Sequence, residues 1–325
     1  MIDLMGVTVL EVDTARWDAA YRLWLDGQAS AHTRRAYARA IQDCVVFCAL
    51  PPWEMGRADI AAWVQDMRLR ALAGTTISQR LAAVSSFFRF VCEEYTDGQD
   101  RPLHDHNPAA GKRLRPRVTP YGKAGYLSAE QAKRLLKTIP TDTLHGKQDY
   151  ALFCGYLFTA RRNSEWRTAR LDQFVQHGER VRYRFDAKGK RDQAVDVAPP
   201  VWEAVQRYQD AAGLREGYLF RALSEQARNL PTVGTDWQPG DHPISAYEVG
   251  RRLKRYARKA GLRVEGLHVH TLRHTGAMLR RAAGDDVQEI SAFLGHSSLA
   301  ITQIYLQAVE GRRDESWQSV AELLL

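Results

Sequence analysis

The chain has 325 residues, 45% of them hydrophobic, so it is long enough for two domains with separate cores and too apolar for a chain that stays unfolded. Lys and Arg total 46 against 38 Asp and Glu, a formal charge of +8, which suits a polyanionic partner such as nucleic acid. Cys44, Cys48, Cys92 and Cys154 sit in apolar stretches without CxxC spacing, the opening "MIDLMGVTVLEVDTARWD" lacks a basic leader before an apolar core, and no run approaches about 18 apolar residues, so a cytoplasmic protein without zinc or membrane contact is expected.

From 30 to 95 the spacing predicts helices. "SAHTRRAYARAIQDCVVFC" places Tyr37, Ile41, Cys44, Val45 and Cys48 on one face, and "TTISQRLAAVSSFFRFVCEEY" does the same with Ile77, Leu81, Val84, Phe88 and Val91. "RADIAAWVQDMRLRAL" is a third helix between them. The polar faces of this all-α bundle, residues 1–98, carry Arg34, Arg35, Arg39, Arg80 and Arg89, either as a solvated face or as a DNA-binding one. Residues 99–124 follow without periodicity and with Gly, Pro and Asn, which reads as an interdomain linker. Arg113, Arg115 and Arg117 make it a solvated hinge or a strap that touches phosphates.

Residues 125–325 form the second expected domain. Ser128 and Gln131 have capping-box spacing, and the apolar helix "DYALFCGYLFTA" leads to Arg161, Arg162 and Glu165. "RVRYRFDAKGKRDQAVDVAPP" alternates Val181, Tyr183 and Phe185 with arginines, turns at "AKGK" and resumes with Val195 and Val197, a β-hairpin with Lys188 or Lys190 at its bend. Residues 222–244 read as a long loop. "SAYEVGRRLKRYARKAG" is a capped helix with an apolar stripe of Val249, Leu253, Tyr256 and Ala260, and Arg251, Arg252 and Arg255 lie on its basic faces.

"HVHTLRHTGAML" packs His268, His270, Arg273 and His274 into seven positions. Two histidines at i and i+4 can bind zinc, but a metalloprotease helix needs an intervening Glu, and here Thr271, Leu272 and Arg273 stand there. A guanidinium repels a divalent cation but matches two phosphate oxygens, and a helix N-terminus adds positive potential, so an anion site is expected with no metal. His274 reads as a core histidine and His268 has no role that the sequence assigns. "VQEISAFLGHSSLAITQIYLQ" then predicts a helix ended by Gly295, followed by His296 and a short helix that reaches Tyr305.

Four separated pieces, "TARRNSEW", "AKGKR", "HTLRHTGA" and "LGHSSLAITQIY", together resemble the tyrosine recombinase (phage integrase) family, with Tyr305 nine positions after His296. The resemblance implies a mainly α catalytic domain with a small β-sheet (α+β) behind a separate all-α core-binding (SAM-like) domain. It implies a site-specific DNA recombinase or integrase that cleaves and rejoins DNA through a covalent 3′-phosphotyrosyl intermediate. Carried over by residue, Tyr305 is the nucleophile, Arg162 and Arg273 bind the non-bridging oxygens, His270 and His296 are hydrogen-bonding or proton-transfer partners, and Lys188 is the general acid. Glu165, three positions after Arg162, favours Arg162 over Arg161 for the first arginine. Ala160 stands where "TGLR" has glycine, and Trp166 where an aliphatic residue is usual.

Two guanidiniums can stabilise the charge that a phosphodiester gains in its five-coordinate transition state, so the implied transesterification uses no cofactor and no metal. The implied partners are double-stranded DNA and other copies of the chain, a homotetramer on two DNA sites with a monomer or dimer off DNA. The terminal "ESWQSVAELLL" is expected to be a helix that caps its own domain or docks on a neighbouring protomer. Type IB topoisomerase-like cleavage and relaxation, or a non-catalytic DNA-binding regulator, remain alternatives at this point.

Overall fold

The computed structural model describes residues 7–96, 100–117, 125–187, 190–225, 229–232, 240–295 and 302–303, and side chains from Thr14 onward except at 187, 190 and 191. The chain divides into two compact units, Met1–Thr119 and Pro120–Leu325. Among the described residues the fold is mainly helical with one small sheet, the expected class. No helix among them is long and apolar enough to cross a membrane.

The first unit contains α1 (Val7–Asp26), α2 (Ala31–Cys48), α3 (Arg57–Leu69) and α4 (Gly74–Glu93). Ser30 starts α2 by accepting the Thr33 amide on its Oγ at 3.0 Å. The three helices read from periodicity are present, and α1 joins them because Trp17, Ala20 and Trp24 recur at helical spacing and bury against Phe87 and Phe88 of α4. Asp43 of α2 ties the bundle together: it accepts from Trp63 Nε1 at 2.8 Å, from both terminal nitrogens of Arg70 at 2.9 and 3.0 Å, and from Arg80 Nη1 at 2.8 Å. The Arg70 hydrogen bonds, with Trp63 and Arg80, hold its carboxyl down to about 2.

Much of the expected linker belongs to this unit. The Leu103 amide donates to Val91 O at 3.0 Å, and Asn107 Nδ2 donates to Ser85 O at 2.8 Å. Ala109 and Leu114 are buried in the same core as Trp17 and Phe88. The sequence misleads here because a short 3-10 turn, Lys112–Leu114, and isolated apolar anchors leave no repeat to detect. Arg113, Arg115 and Arg117 are exposed around the buried Leu114.

The second unit runs α5 (Ala129–Lys137), α6 (Leu144–Thr159), α7 (Asn163–Arg167), β1 (Phe174–His177), β2 (Arg180–Ala187), β3 (Lys190–Val197), α8 (Pro199–Ala211), α9 (Ala246–Lys259), α10 (Val269–Ala282) and α11 (Val287–Leu294). The strands form an antiparallel sheet in the order β1-β2-β3. Ser128 and Gln131 form the expected reciprocal cap of α5. Helix α6 is apolar on nearly all sides and buried, packed by α8 and α10. Its polar residues are satisfied inside: Gln148 Nε2 donates to Tyr208 Oη and to Arg221 O, both at 2.7 Å, and Asp149 accepts from Tyr256 Oη at 2.7 Å.

Arg252, expected on the basic surface of α9, is instead 1% exposed. Its Nη1 donates to Gln148 Oε1 and Asp149 Oδ1 at 2.8 Å, and its Nε to Glu248 Oε1 at 2.8 Å. A buried carboxylate from α6 therefore draws this arginine inward, away from the face that meets solvent. The same pull halves the expected cap of α9: Ser245 Oγ accepts the Glu248 amide, but the Glu248 carboxylate goes to Arg251 and Arg252.

Replacing Arg252 by Ala removes the close cation of the buried Asp149 and leaves it Arg255 at 3.6 Å, so a loss of about 3 kcal/mol is expected. The exposed neighbour is the control, since Arg251→Ala is expected to cost less than about 1 kcal/mol. Denaturant unfolding of both variants measures this, and equal losses would contradict the burial contrast.

Candidate active site

The site begins at the corner between α6 and α7. Ala160 ends α6 in the left-handed region, φ 49° and ψ 30°, and its amide closes on Tyr156 O. Arg162 resumes an extended backbone, and Glu165 holds it twice, accepting from the Arg162 amide at 2.9 Å and from its Nη1 at 2.8 Å. The corner sends the two neighbouring arginines to different places. Arg162 keeps a side-chain exposure of 35%, while Arg161 is buried. Glu165 is itself buried, and its backbone carbonyl accepts from Tyr183 Oη of β2 at 2.7 Å.

Trp166 anchors the corner from below. It is fully buried, donates Nε1 to Leu152 O at 3.1 Å, and meets Phe174, Tyr183 and Phe220. Its bulk fits because residue 155 is glycine: a Cβ there would stand 2.1 Å from the indole. The departure noted at 166 is thus matched by a partner one helix away.

Helix α10 supplies the second set. His268 caps it, its Nδ1 accepting the Thr271 amide at 3.2 Å while Thr271 Oγ1 accepts the His268 amide at 3.3 Å. That is the role the sequence did not assign. Arg273 is buried and braced by two carbonyls, Nη1 on Ala160 O and Nη2 on Leu294 O, each at 2.6 Å. It therefore fastens the end of α6 to the end of α11 above a small apolar cluster of Ala160, Ala277, Met278, Ile290 and Leu294. His274 is buried, as expected, with its ring edge-on to His270 at 4.6 Å.

His270 lies at the exposed end of α10. Its imidazole pKa is lowered to about 4, first by loss of hydration and then by the charges of Arg273, His268 and Arg162. Arg162, His270 and Arg273 thus come together from two separate segments. At neutral pH they offer two fixed cations and an uncharged imidazole, a set that can hold an anion and move one proton. A cleft of about 460 Å³ opens beside Arg162, lined by Arg161, Arg162, Arg182, Phe185 and Phe293 among others.

The hairpin pairs regularly from Val181↔Val197 to Phe185↔Gln193, then shifts register before Ala187↔Lys190. Lys188, between those strands, lies outside the described residues, as do His296, Tyr305 and the segment "ESWQSVAELLL". Helix α11 ends on Gly295 at φ 64°, the expected stop.

The arginines expected on DNA fall into groups. Arg35, Arg113, Arg115, Arg117 and Arg251 are exposed; Arg34 and Arg255 are half-buried. Arg80 is engaged by Asp43, and Arg252 is buried. Sequence reading missed Tyr247, 80% exposed on the same face of α9 as Arg251, Lys254 and Arg258. The spacing of four, seven and eleven from Tyr247 was the available signal.

The chain is similar to several known proteins. The profile described as "Phage integrase family" matches residues 125–312, and that of "Phage integrase, N-terminal SAM-like domain" matches residues 23–97. Tyrosine recombinase XerC of Thermodesulfovibrio yellowstonii is 26% identical over 278 residues, covering 85% of each chain. Tyrosine recombinase XerD of Agrobacterium fabrum is 26% identical over 301 residues, covering 90% of this chain and 88% of its own. In fold, the chain resembles a lambda integrase tetramer bound to a Holliday junction, with a TM-score of 0.63 at 14% identity over 92% of this chain and 82% of that one.

The His270 environment carries a pH consequence. An unfolded imidazole titrates near 6.5, so the native state gains fewer protons than the unfolded state as pH falls from there towards the lowered value of about 4. Stability contributed through His270 is intact above that window and lost on the way down through it. Histidine NMR titration of the DNA-free protein is expected to place the His270 midpoint well below 6.5; an ordinary midpoint would contradict the combined effect of lost hydration and neighbouring charge on this ring.

Proposed function

The chain belongs to the phage integrase family and is a tyrosine-type site-specific recombinase, and from that premise we propose how its residues share the reaction. Arg162 and Arg273 take the two non-bridging oxygens of one DNA phosphate. The phenolic oxygen of Tyr305 bonds to phosphorus, its proton passing to the neutral imidazole of His270. The bond from phosphorus to the 5′ oxygen breaks, and Lys188 gives that oxygen a proton. His296 donates a further hydrogen bond to the phosphate. The product is a 3′-phosphotyrosyl link that keeps the energy of the phosphodiester, so a 5′ hydroxyl from a second strand reverses the step.

What supports this reading above all is that two segments 108 residues apart at their nearest, one bearing Arg162 and the other His270 and Arg273, are tied at one corner by Arg273 Nη1 on Ala160 O, in a chain matched by the family profile. Cations fixed before the reaction lower its barrier because they need no reorganisation as charge grows on the phosphate.

We infer a division of labour between the units. Residues 1–98 bind DNA through Arg34 and Arg35, the segment 99–124 follows the backbone with Arg113, Arg115 and Arg117, and residues 125–325 carry the chemistry. On α9 the contacting face is Tyr247, Arg251, Lys254 and Arg258 with Arg255 at its edge, while Arg252 supports it from within. Four copies assemble on two double-stranded sites, a reading supported by the likeness to a lambda integrase tetramer bound to a Holliday junction.

Incubating the protein with duplexes from the flanks of its own gene, followed by denaturing gels, tests the nucleophile. Tyr305→Phe is expected to bind DNA at wild-type affinity and to form no covalent adduct; an adduct in that variant rules Tyr305 out. Lys188→Ala is expected to lose about 10²–10⁴-fold in cleavage of an ordinary phosphodiester. It should recover on a 5′-bridging phosphorothiolate, whose leaving sulfur needs no proton, and failure to recover would move the acid elsewhere.

A further inference from the structure

Arg161 has no part in the reaction as set out above, yet it is a charged side chain with 3% exposure beside the candidate first arginine. Burying a guanidinium is unfavourable unless its hydrogen bonds and charge are matched. Its Nε donates to Thr159 O at 2.9 Å, and its Nη2 donates to Phe293 O. Its plane faces two rings, Phe185 at 4.7 Å and Phe293 at 5.6 Å from their centroids. Each contact belongs to a different element that ends at the cleft. Thr159 closes α6, which delivers Arg162. Phe185 lies in β2, which runs into the hairpin turn. Phe293 lies in the last turn of α11, before Gly295.

Tyr183 already ties the middle of β2 to this corner through Glu165 O, but towards the turn the sheet itself loosens. Regular pairing of the hairpin reaches Phe185↔Gln193 and then shifts register before Ala187↔Lys190, so the backbone ladder weakens where the turn is approached. Arg161 grips the hairpin at the last regularly paired residue on β2. Phe293 meets a second guanidinium as well, with Arg280 4.2 Å from its ring centroid.

We propose that Arg161 is a positioning residue, which clamps the β2–β3 hairpin to the corner that bears Arg162 and so sets the reach of the acid that protonates the leaving 5′ oxygen. The proposal rests on the reading of the hairpin lysine as that acid. It predicts a selective defect, in leaving-group protonation, where a residue that merely fills the core would weaken every step alike.

The test uses the full chain and the cleavage position mapped with wild-type protein. Arg161→Leu keeps an apolar side chain between the two rings and removes the donors, and Arg161→Lys keeps charge without the planar stack. Phe185→Leu removes the clamp from the other side and does not touch Arg161. Cleavage rates are compared on an ordinary phosphodiester and on the 5′-bridging phosphorothiolate at the same position, with DNA affinity and thermal midpoints alongside.

Arg161→Leu and Phe185→Leu are each expected to slow phosphodiester cleavage by roughly 10- to 100-fold and phosphorothiolate cleavage by about threefold or less. Arg161→Lys should fall between. Equal losses on both substrates, or no loss on either, would overturn the clamp. If Arg161→Leu is rescued by sulfur while Lys188→Ala is not, the clamp stands and the acid assignment fails. If Lys188→Ala is rescued and Arg161→Leu is not, the acid assignment stands and the clamp fails.

Discussion

One carbonyl oxygen organises the catalytic unit. Ala160 O is aimed by a left-handed turn at the end of α6 and accepts Arg273 from α10 at 2.6 Å. An L-residue in that region costs about 1–2 kcal/mol, and glycine would avoid the cost, which accounts for glycine in the usual form of the motif. Here alanine is retained inside a small apolar cluster with Ala277, Met278, Ile290 and Leu294, so its methyl group offsets part of the strain through burial. The same turn separates Arg161 from Arg162 and brings Glu165 back to brace the latter. Without the corner, Arg273 would lose its hold on Ala160 O, two residues before Arg162.

The protein contains many arginines, and burial sorts their work. Arg252 meets Asp149, Gln148 and Glu248 inside the core, Arg80 and Arg70 neutralise Asp43, and Arg161 lies between phenylalanines. Arg35, Arg113, Arg115 and Arg117 remain exposed and keep their positive field directed at solvent, whereas the exposed Arg251 is paired with Glu248. A formal charge of +8 therefore understates how unevenly the charge is spread.

Within the described residues, motif spacing located the corner at Arg162, the start of α10 and the end of α11. The relation of Arg162 to Glu165, the opening of α10 at "HTLRH" and the stop at Gly295 are local, and local geometry follows from sequence. Arg252 was misjudged because helical periodicity identifies a face without revealing that Asp149, 103 positions away, waits beneath it. The anchored part of the expected linker was misjudged for a similar reason, since single residues such as Asn107 and Leu114 engage a distant core without any repeat. Strand β1 and helices α1 and α8 were passed over: β1 has four residues, α1 is broken up by polar side chains, and α8 opens on two prolines that read as a loop.

The indole at 166 and the bare α-carbon at 155 constrain the order in which this lineage can drift. Shrinking Trp166 first leaves a void that the fold can survive at reduced stability, whereas enlarging Gly155 first drives a methyl group into the ring at 2.1 Å. Descent from an ancestor with an aliphatic side chain at 166 would run the other way, the smaller α6 residue arriving before the tryptophan. Position 155 acts as a historical latch: once the indole is seated, the route back is open through one residue only.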